Sequence, residues 1–442
     1  MRFPRSMQKV LCMGSALLAL AAPVCAQKTP EAEKPVVIRA GRVLDVRTGR
    51  VLREQDIIVS AGVITAIKPA SAGAEESGTV IDLSHATVLP GLIDAHEHIT
   101  GDPSISDVDK LGISEARRAL KGARNARVTI EAGFTTIRNV GADGYPDVAL
   151  RDAINDGDVV GPRILASGPA ITIDGGSCDN IRMAYERHYT SPGVADGVEG
   201  VQHKVREVVK YGADVVKMCA TGGLLSPTDP GGLQYSMAEM QAIVAEAHRL
   251  GRRVAAHAHG AEGVRLASEA GVDSVEHGFL MDDAAIATLK KNGTYLVPTA
   301  YVGDWLTDHE NETHLSPEMT QKIEAAVAQA KINHRRAFQA GVKIAFGTDA
   351  AVFPHGLNAR EFSDYVQMGM TPLQAIQTAT INAADLLGLK DKAGAIEAGK
   401  WADIIAVDGD PTTDVRTLEQ VKFVMKAGVV YKNEFASSAP RP

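Results

Sequence analysis

The chain has 442 residues, 54 acidic against 46 basic side chains and a net charge of −8. That balance excludes the basic footprint of a nucleic-acid binder, while small neutral or cationic partners and self-association stay open. The length suits a barrel with insertions plus a small second module.

Residues 1–26 read as a secretory signal peptide. Arg2, Arg5 and Lys9 precede an apolar run over 10–24, and Val24, Cys25 and Ala26 offer small residues for cleavage before Gln27. The run is too short to span a bilayer, so a periplasmic or secreted protein without stable membrane insertion is expected. Removing this segment takes Cys12 and Cys25 with it and leaves Cys178 and Cys219, too few for a disulfide framework. A single bridge is allowed in an oxidising compartment, but two buried thiols are the simpler reading.

After a polar linker over 27–34, alternating segments at 36–40 and 56–60, with turns at Gly49 and Gly62, predict antiparallel strands. Matching segments return at 402–407 and 421–425. Residues 27–87 and 396–435 are therefore expected to build one small β-sandwich module from both chain ends. Between them, over 88–395, short β-branched runs alternate with stretches of helical period, the mark of an α/β fold with a parallel sheet. Candidate strands are 88–98, 134–140, 163–167, 214–221, 253–259, 274–277, 295–299 and 343–349. Eight such strands close a (β/α)₈ TIM barrel. Helices are expected at 237–250, 282–291 and 317–340, the last capped by Ser316. Another runs from the Thr371-Pro372 pair to Leu387, where Gly388 ends it. Residues 436–442 read as a disordered tail.

His96 and His98 end the first candidate strand and share one face, so together they can grip a divalent ion. His257 and His259 end the fifth strand, His277 the sixth and Asp349 the eighth. Barrel strands bring such ends together. His85, His188, His203, His248, His309, His314 and His334 fall elsewhere and read as structural or solvated. His355, just past Asp349, is placed either to reach substrate or to sit in solvent. Lys217 lies in the apolar strand Val215-Val216-Lys217-Met218-Cys219, where a lysine needs a partner. The partner is either a carboxylate, or CO₂ taken up as a carbamate that bridges two metals. In the second case His96, His98 and Asp349 hold one ion, His257 and His277 the other, and Lys217 stands between them. Imidazoles and carboxylates suit Zn²⁺, Co²⁺ or Mn²⁺, with Zn²⁺ the expected ion.

Pro90 to His98, the Lys217 strand running into Ala220-Thr221-Gly222-Gly223, Ala256-His257-Ala258-His259-Gly260, Glu276-His277-Gly278, Gly347-Thr348-Asp349 and the segment from Gly394 to Asp403 resemble the amidohydrolase superfamily. The resemblance covers nearly the whole mature chain and is strongest to the imidazolonepropionase-related branch, with its Xaa-Pro-type dipeptidases and ochratoxin-hydrolysing members. It implies a binuclear enzyme in which metal-bound hydroxide attacks an amide of a dipeptide or N-acyl amino acid. Asp349 then takes the proton and delivers it to the leaving amine. Hydrolysis of cyclic amides, lactones or amidines is the alternative chemistry, and a non-catalytic scaffold a third reading, although no ligand is missing. No Gly-x-Ser-x-Gly elbow supports a protein nucleophile. The glycine-rich stretch 221–232 reads as a loop bordering the site, and His259, Ser177, Gly222 and His355 are the expected substrate contacts. Two positions depart from these relatives: Gly175-Gly176-Ser177 stands where Gly-Gly-His is common, and Arg138-Asn139 where Arg-Asp is common.

Protein recovered from its native host is expected to begin at Gln27. An intact Met1 in its mass spectrum would refute export.

Overall fold

The computed structural model describes residues 35–71, 78–105, 107–181, 183–309 and 317–436. The expected signal peptide, the Ser316 cap, His314 and residues 437–442 of the expected tail lie outside the described residues.

Alternating β-branched residues form β1 (Val36–Leu44), β2 (Val51–Ser60), β3 (Val63–Pro69) and β4 (Thr79–Pro90). The β2–β3 hairpin turns on Ala61 and Gly62, at φ 48° and 76°, the paired left-handed residues that let a two-residue turn follow the strand twist. β1 pairs antiparallel with β2 and parallel with β4.

The chain then enters the barrel through β5 (Leu92–Glu97), β6 (Phe134–Asn139), β7 (Arg163–Ala166), β8 (Val215–Cys219), β9 (Arg253–Gly260), β10 (Ser274–Leu280) and β11 (Tyr295–Val297). Neighbouring strands pair in parallel within β5–β7 and within β8–β11. Two contacts join these groups: Asp214 N–H donates to Ala166 O at 2.7 Å, and Ile171 bridges Met218. The expected eighth strand, 343–349, forms no regular ladder, yet it closes the ring. On one side Leu296 N–H donates to Lys343 O, on the other Ala95 N–H donates to Phe346 O, both at 2.8 Å.

A helical irregularity explains how that segment is held. The helix expected from 371 to 387 opens into a π-turn at Thr378–Asn382, and such a turn frees carbonyls from the helical ladder. Thr378 O accepts the Phe346 N–H at 3.1 Å, and Asn382 Nδ2 donates to Ile344 O at 2.9 Å. The eighth segment is thus stitched to a helix as well as to its neighbouring strands.

After the barrel, β12 (Ile404–Val407), β13 (Phe423–Lys426) and β14 (Val429–Asn433) complete one seven-stranded sheet in the order β14-β13-β12-β4-β1-β2-β3. Val63 at the start of β3 bridges Trp401 just before β12, so this single sheet curls over its own core of Ile38, Ile57, Ile64, Val88, Ile404 and Phe423. The sandwich is built from one sheet.

The strand expected over 88–98 is two strands. Val88 to Pro90 pair with β12, and Leu92 onward pairs with β6. Gly91 makes the passage. Its N–H donates to Asp403 O at 2.8 Å, and a Cβ there would sit 2.2 Å from Thr135 Oγ1.

Cys178 and Cys219 are joined in a disulfide, with Cα atoms 6.4 Å apart, which corrects the expectation of two free thiols. Their spacing in sequence carries no hint of this. The chain after β7 runs parallel alongside β8, where Ile171 bridges Met218 and Cys219 N–H donates to Ile171 O at 2.9 Å, and so brings Cys178 to the strand's end. Among the described residues no helix is long and apolar enough to cross a membrane.

Module and barrel are fastened by Arg163, whose Nη1 donates to Asp403 Oδ2 at 2.8 Å and whose guanidinium lies 3.6 Å from the centre of the Trp401 ring. Asp403 is buried. Asp403→Ala is expected to cost on the order of 3 kcal/mol in urea unfolding, the low end for removing one partner of a buried pair, because Arg163 keeps Thr136 and Trp401.

Candidate metal centre

β5 and β8 to β10, with the 343–349 segment, end at one mouth, as parallel barrel strands must. Five imidazoles, Lys217 and Asp349 meet there and line a cavity of about 460 Å³. Candidate ligand atoms of His96, His277 and Asp349 lie within 4.8 Å of one another, as do those of His257, His259 and His277. The ring centroid of His277 is 4.9 Å from that of His96 and 4.7 Å from that of His257.

Four of the rings are turned by a partner that accepts a hydrogen bond from them. His96 Nδ1 donates to Glu276 Oε2 at 2.8 Å, and His98 Nδ1 to Gly141 O at 3.1 Å. Both turn Nε2 toward the cluster, 3.4 and 3.2 Å from Asp349 Oδ1. His277 Nδ1 lies 2.8 Å from Thr299 Oγ1. Since that hydroxyl donates to Pro298 O, it must accept here, and His277 too presents Nε2. His257 is the exception: its Nε2 donates to Gly222 O at 3.2 Å, so it presents Nδ1. Burial pulls the His257 pKa down to about 3 and that of His277 well below its ordinary value. These rings are neutral, the form that binds metal.

The Lys217 side chain is buried, and among the described residues its Nζ has no hydrogen-bond partner. Burial lowers its pKa to about 8. The carboxylates that act on it most, Glu276 and Asp349, are engaged elsewhere. Burial works against the Glu276 carboxylate, but Arg138 and His96 outweigh it and hold its pKa at about 2. Arg138 Nη2 donates to Glu276 Oε1 at 2.9 Å and its Nε to Ala95 O at 2.5 Å. For Asp349 burial is again outweighed, here by His96 and His98, which keep it ionised. The ion-pair reading of Lys217 has no bonded carboxylate behind it.

Backbone strain gathers at the same place. His277, Thr299 and Asp349 have φ of 72°, 50° and 61°, a region that costs a non-glycine residue about 1–3 kcal/mol and that surroundings must enforce. His334 does part of this. Read from sequence as structural or solvated, it is buried, and its Nε2 donates to His277 O at 2.7 Å.

The expected substrate contacts divide. His259 lines the cavity, stacked on His277 at 4.9 Å, and its buried Nδ1 lacks a partner among the described residues. Ser177 also lines it, but its hydroxyl donates to Thr221 O at 2.9 Å; that proton is already used. Gly222 turns its carbonyl to His257 and is not in the cavity wall. His355 is not among the residues that line the cavity; its side chain is buried, with Nδ1 3.9 Å from Glu97 Oε2. Asn139 is accounted for by its neighbour. Its Nδ2 donates to the buried Asp147 Oδ2 at 2.9 Å while its Oδ1 accepts from Ile99 N–H at 2.7 Å. An aspartate at 139 would set two carboxylates face to face.

Sequence reasoning passed over Glu276 and Thr299, which orient His96 and His277. The available signal was position: a buried acid directly before His277, and a hydroxyl at the end of the seventh candidate strand.

The amidohydrolase family model matches residues 87–431. Ochratoxinase from Aspergillus niger is 32% identical over 436 residues, covering 93% of this chain and 89% of that protein. A crystal structure of a Xaa-Pro dipeptidase with methionine bound in its active site is 39% identical, with a TM-score of 0.86 over 90% of this chain and 100% of the other. A prolidase complexed with N-methylphosphonate-L-proline is 30% identical, with a TM-score of 0.83 over the same shares. With the family model and a full-length relative both matched across the barrel and its ligand-bearing strand ends, the chain belongs to the amidohydrolase family and is a hydrolase acting on amide bonds.

Proposed function

We propose that this is an exported two-metal hydrolase that cleaves the amide bond of a dipeptide or N-acyl amino acid and releases a free amino acid. The observation that carries this reading is the buried Nζ of Lys217, without a hydrogen-bond partner among the described residues, beside imidazoles that face one cavity. An isolated polar atom in that position is costly unless something fills the space. In the neutral form the amine can add to CO₂: the nitrogen lone pair forms the N–C bond, and the proton lost goes to solvent. A carbamate there would help hold two divalent ions, one with His96, His98 and Asp349 and one with His257 and His277. When bound, two divalent ions polarise a carbonyl and make a water acidic near neutral pH.

The chain's own residues do the rest. Asp349 stays ionised beside His96 and His98, so a carboxylate oxygen can take the proton of the attacking water and hand it to the leaving nitrogen. His259, with Nδ1 free in the cavity, is placed to meet the substrate's carboxylate. Leu224, Phe279, Val302, Leu306 and Ile323 form one apolar wall, which suits an apolar acyl group or side chain. The methionine in the related dipeptidase and the proline derivative in the related prolidase support an amino-acid product.

Chelation is expected to abolish hydrolysis, and Zn²⁺, Co²⁺ or Mn²⁺ to restore it, with elemental analysis finding two ions per chain. Full activity with one ion or none would end the two-metal reading.

Lys217→Ala is expected to lower kcat/KM by more than about 100-fold, since even partners of metal ligands are worth about 10–100-fold. Short carboxylic acids are expected to restore part of it, and Lys217→Arg none. A fully active alanine variant would return Lys217 to a structural role.

A further inference from the structure

The loop that follows β8 is held from outside the strand ends. Lys322, on the helix Pro317–Ala340, reaches across to it, and its Nζ donates to Gly223 O at 2.9 Å, Ser226 O at 3.1 Å and Thr228 O at 2.9 Å. An ammonium has three donors and no acceptor, so all three are used on one short loop. Each is a charge-assisted bond, roughly twice as strong as a neutral one. Within the loop, Gly223 N–H donates to Thr228 Oγ1 at 3.0 Å, and Gly222 N–H to Gly232 O at 3.0 Å.

What this loop carries makes the clasp matter. Gly222 O takes the N–H of His257 and so decides which ring nitrogen that ligand presents. Leu224, Leu225 and Pro227 face the cavity. Leu224 also packs with Phe279, Val302 and Leu306, which joins the loop to the apolar wall.

We propose that Lys322 is a positioning residue, an internal cation that draws residues 223–228 into a fixed turn and thereby sets both the orientation of His257 and the wall that receives a substrate's apolar group. Lysine suits the task because a compact ammonium can aim its donors at three converging carbonyls. The planar fork of arginine cannot, and methionine of similar length leaves the three carbonyl dipoles facing one another. The inference rests on the proposed function in one respect, that a substrate lies against this wall.

Wild type, Lys322→Met and Lys322→Arg holoenzymes are compared by limited chymotrypsin digestion, with cuts at 221–232 mapped by mass spectrometry. Their kcat/KM values are measured for an N-acyl-phenylalanine and an N-acyl-glycine. Lys322→Met is expected to be cut in the loop about tenfold faster and to lose about 10- to 100-fold in kcat/KM on the phenylalanine substrate. The loss on glycine is expected to be smaller, so the preference between the two falls, with Lys322→Arg intermediate in every readout. Wild-type cleavage of Lys322→Met would overturn the clasp. A loosened loop with an unchanged preference would overturn its role in specificity. Should the methionine variant fail to fold, Lys322→Arg decides alone, and wild-type cleavage and preference in it would count against the proposal. If the wild type hydrolyses neither substrate, the proposed function fails, while the digestion still decides the clasp.

Discussion

Around Lys217 four histidine rings are each constrained by an outer atom that accepts: a carboxylate for His96, main-chain carbonyls for His98 and His257, and a hydroxyl with its own proton engaged for His277. Much of the surrounding architecture serves that constraint. Glu276 can act as an acceptor because Arg138 keeps it ionised in a buried place, and Arg138 is itself fixed on Ala95 O and Ser274 Oγ. Gly222 can act because its loop is pinned at both ends and in the middle. Were any outer acceptor exchanged for a donor, its ring would flip its tautomer and turn a proton toward the ligand cluster.

Strain and tautomer are linked through the same elements. His277 and Thr299 form a hydrogen-bonded pair of left-handed residues at adjacent strand ends. A regular strand would place successive side chains on alternate faces. The left-handed backbone instead swings both into one cavity, and the His334 bond to His277 O helps enforce it. Local instability at these positions is the physical counterpart of the convergence above them.

Sequence alone made much of this legible. Short β-branched runs separated by stretches of helical period pointed to the barrel, and ligand-type residues stood at strand ends that such a fold brings together. Lys217 was conspicuous because a lysine in Val-Val-Lys-Met-Cys contradicts its strand. Other features depend on three-dimensional relations that no local pattern encodes. The Cys178–Cys219 bond follows from the segment after β7 running parallel alongside β8. The π-turn at 378–382 follows from the needs of the segment it stitches, and that segment, lacking a full ladder, reads as an ordinary strand. Nor does proximity to Asp349 in sequence tell that the His355 side chain is buried beside Glu97. Ser177 lines the cavity and Gly222 does not, and the polar atoms of both answer to neighbouring protein groups.

The passage at Gly91 has a consequence for how the molecule is made. β4 runs directly into the first barrel strand, and its far half pairs with β12, which joins Pro90 to Ile404. During synthesis the N-terminal strands therefore wait, with one edge of β4 bare, until nearly the whole barrel has been produced. An open edge of that kind is a template for pairing with other chains, and closing it demands a contact of very long sequence separation, which slows folding. The protein's vulnerable period thus lies in its own biogenesis, and it ends only when the last few dozen residues return to the strands that began the fold.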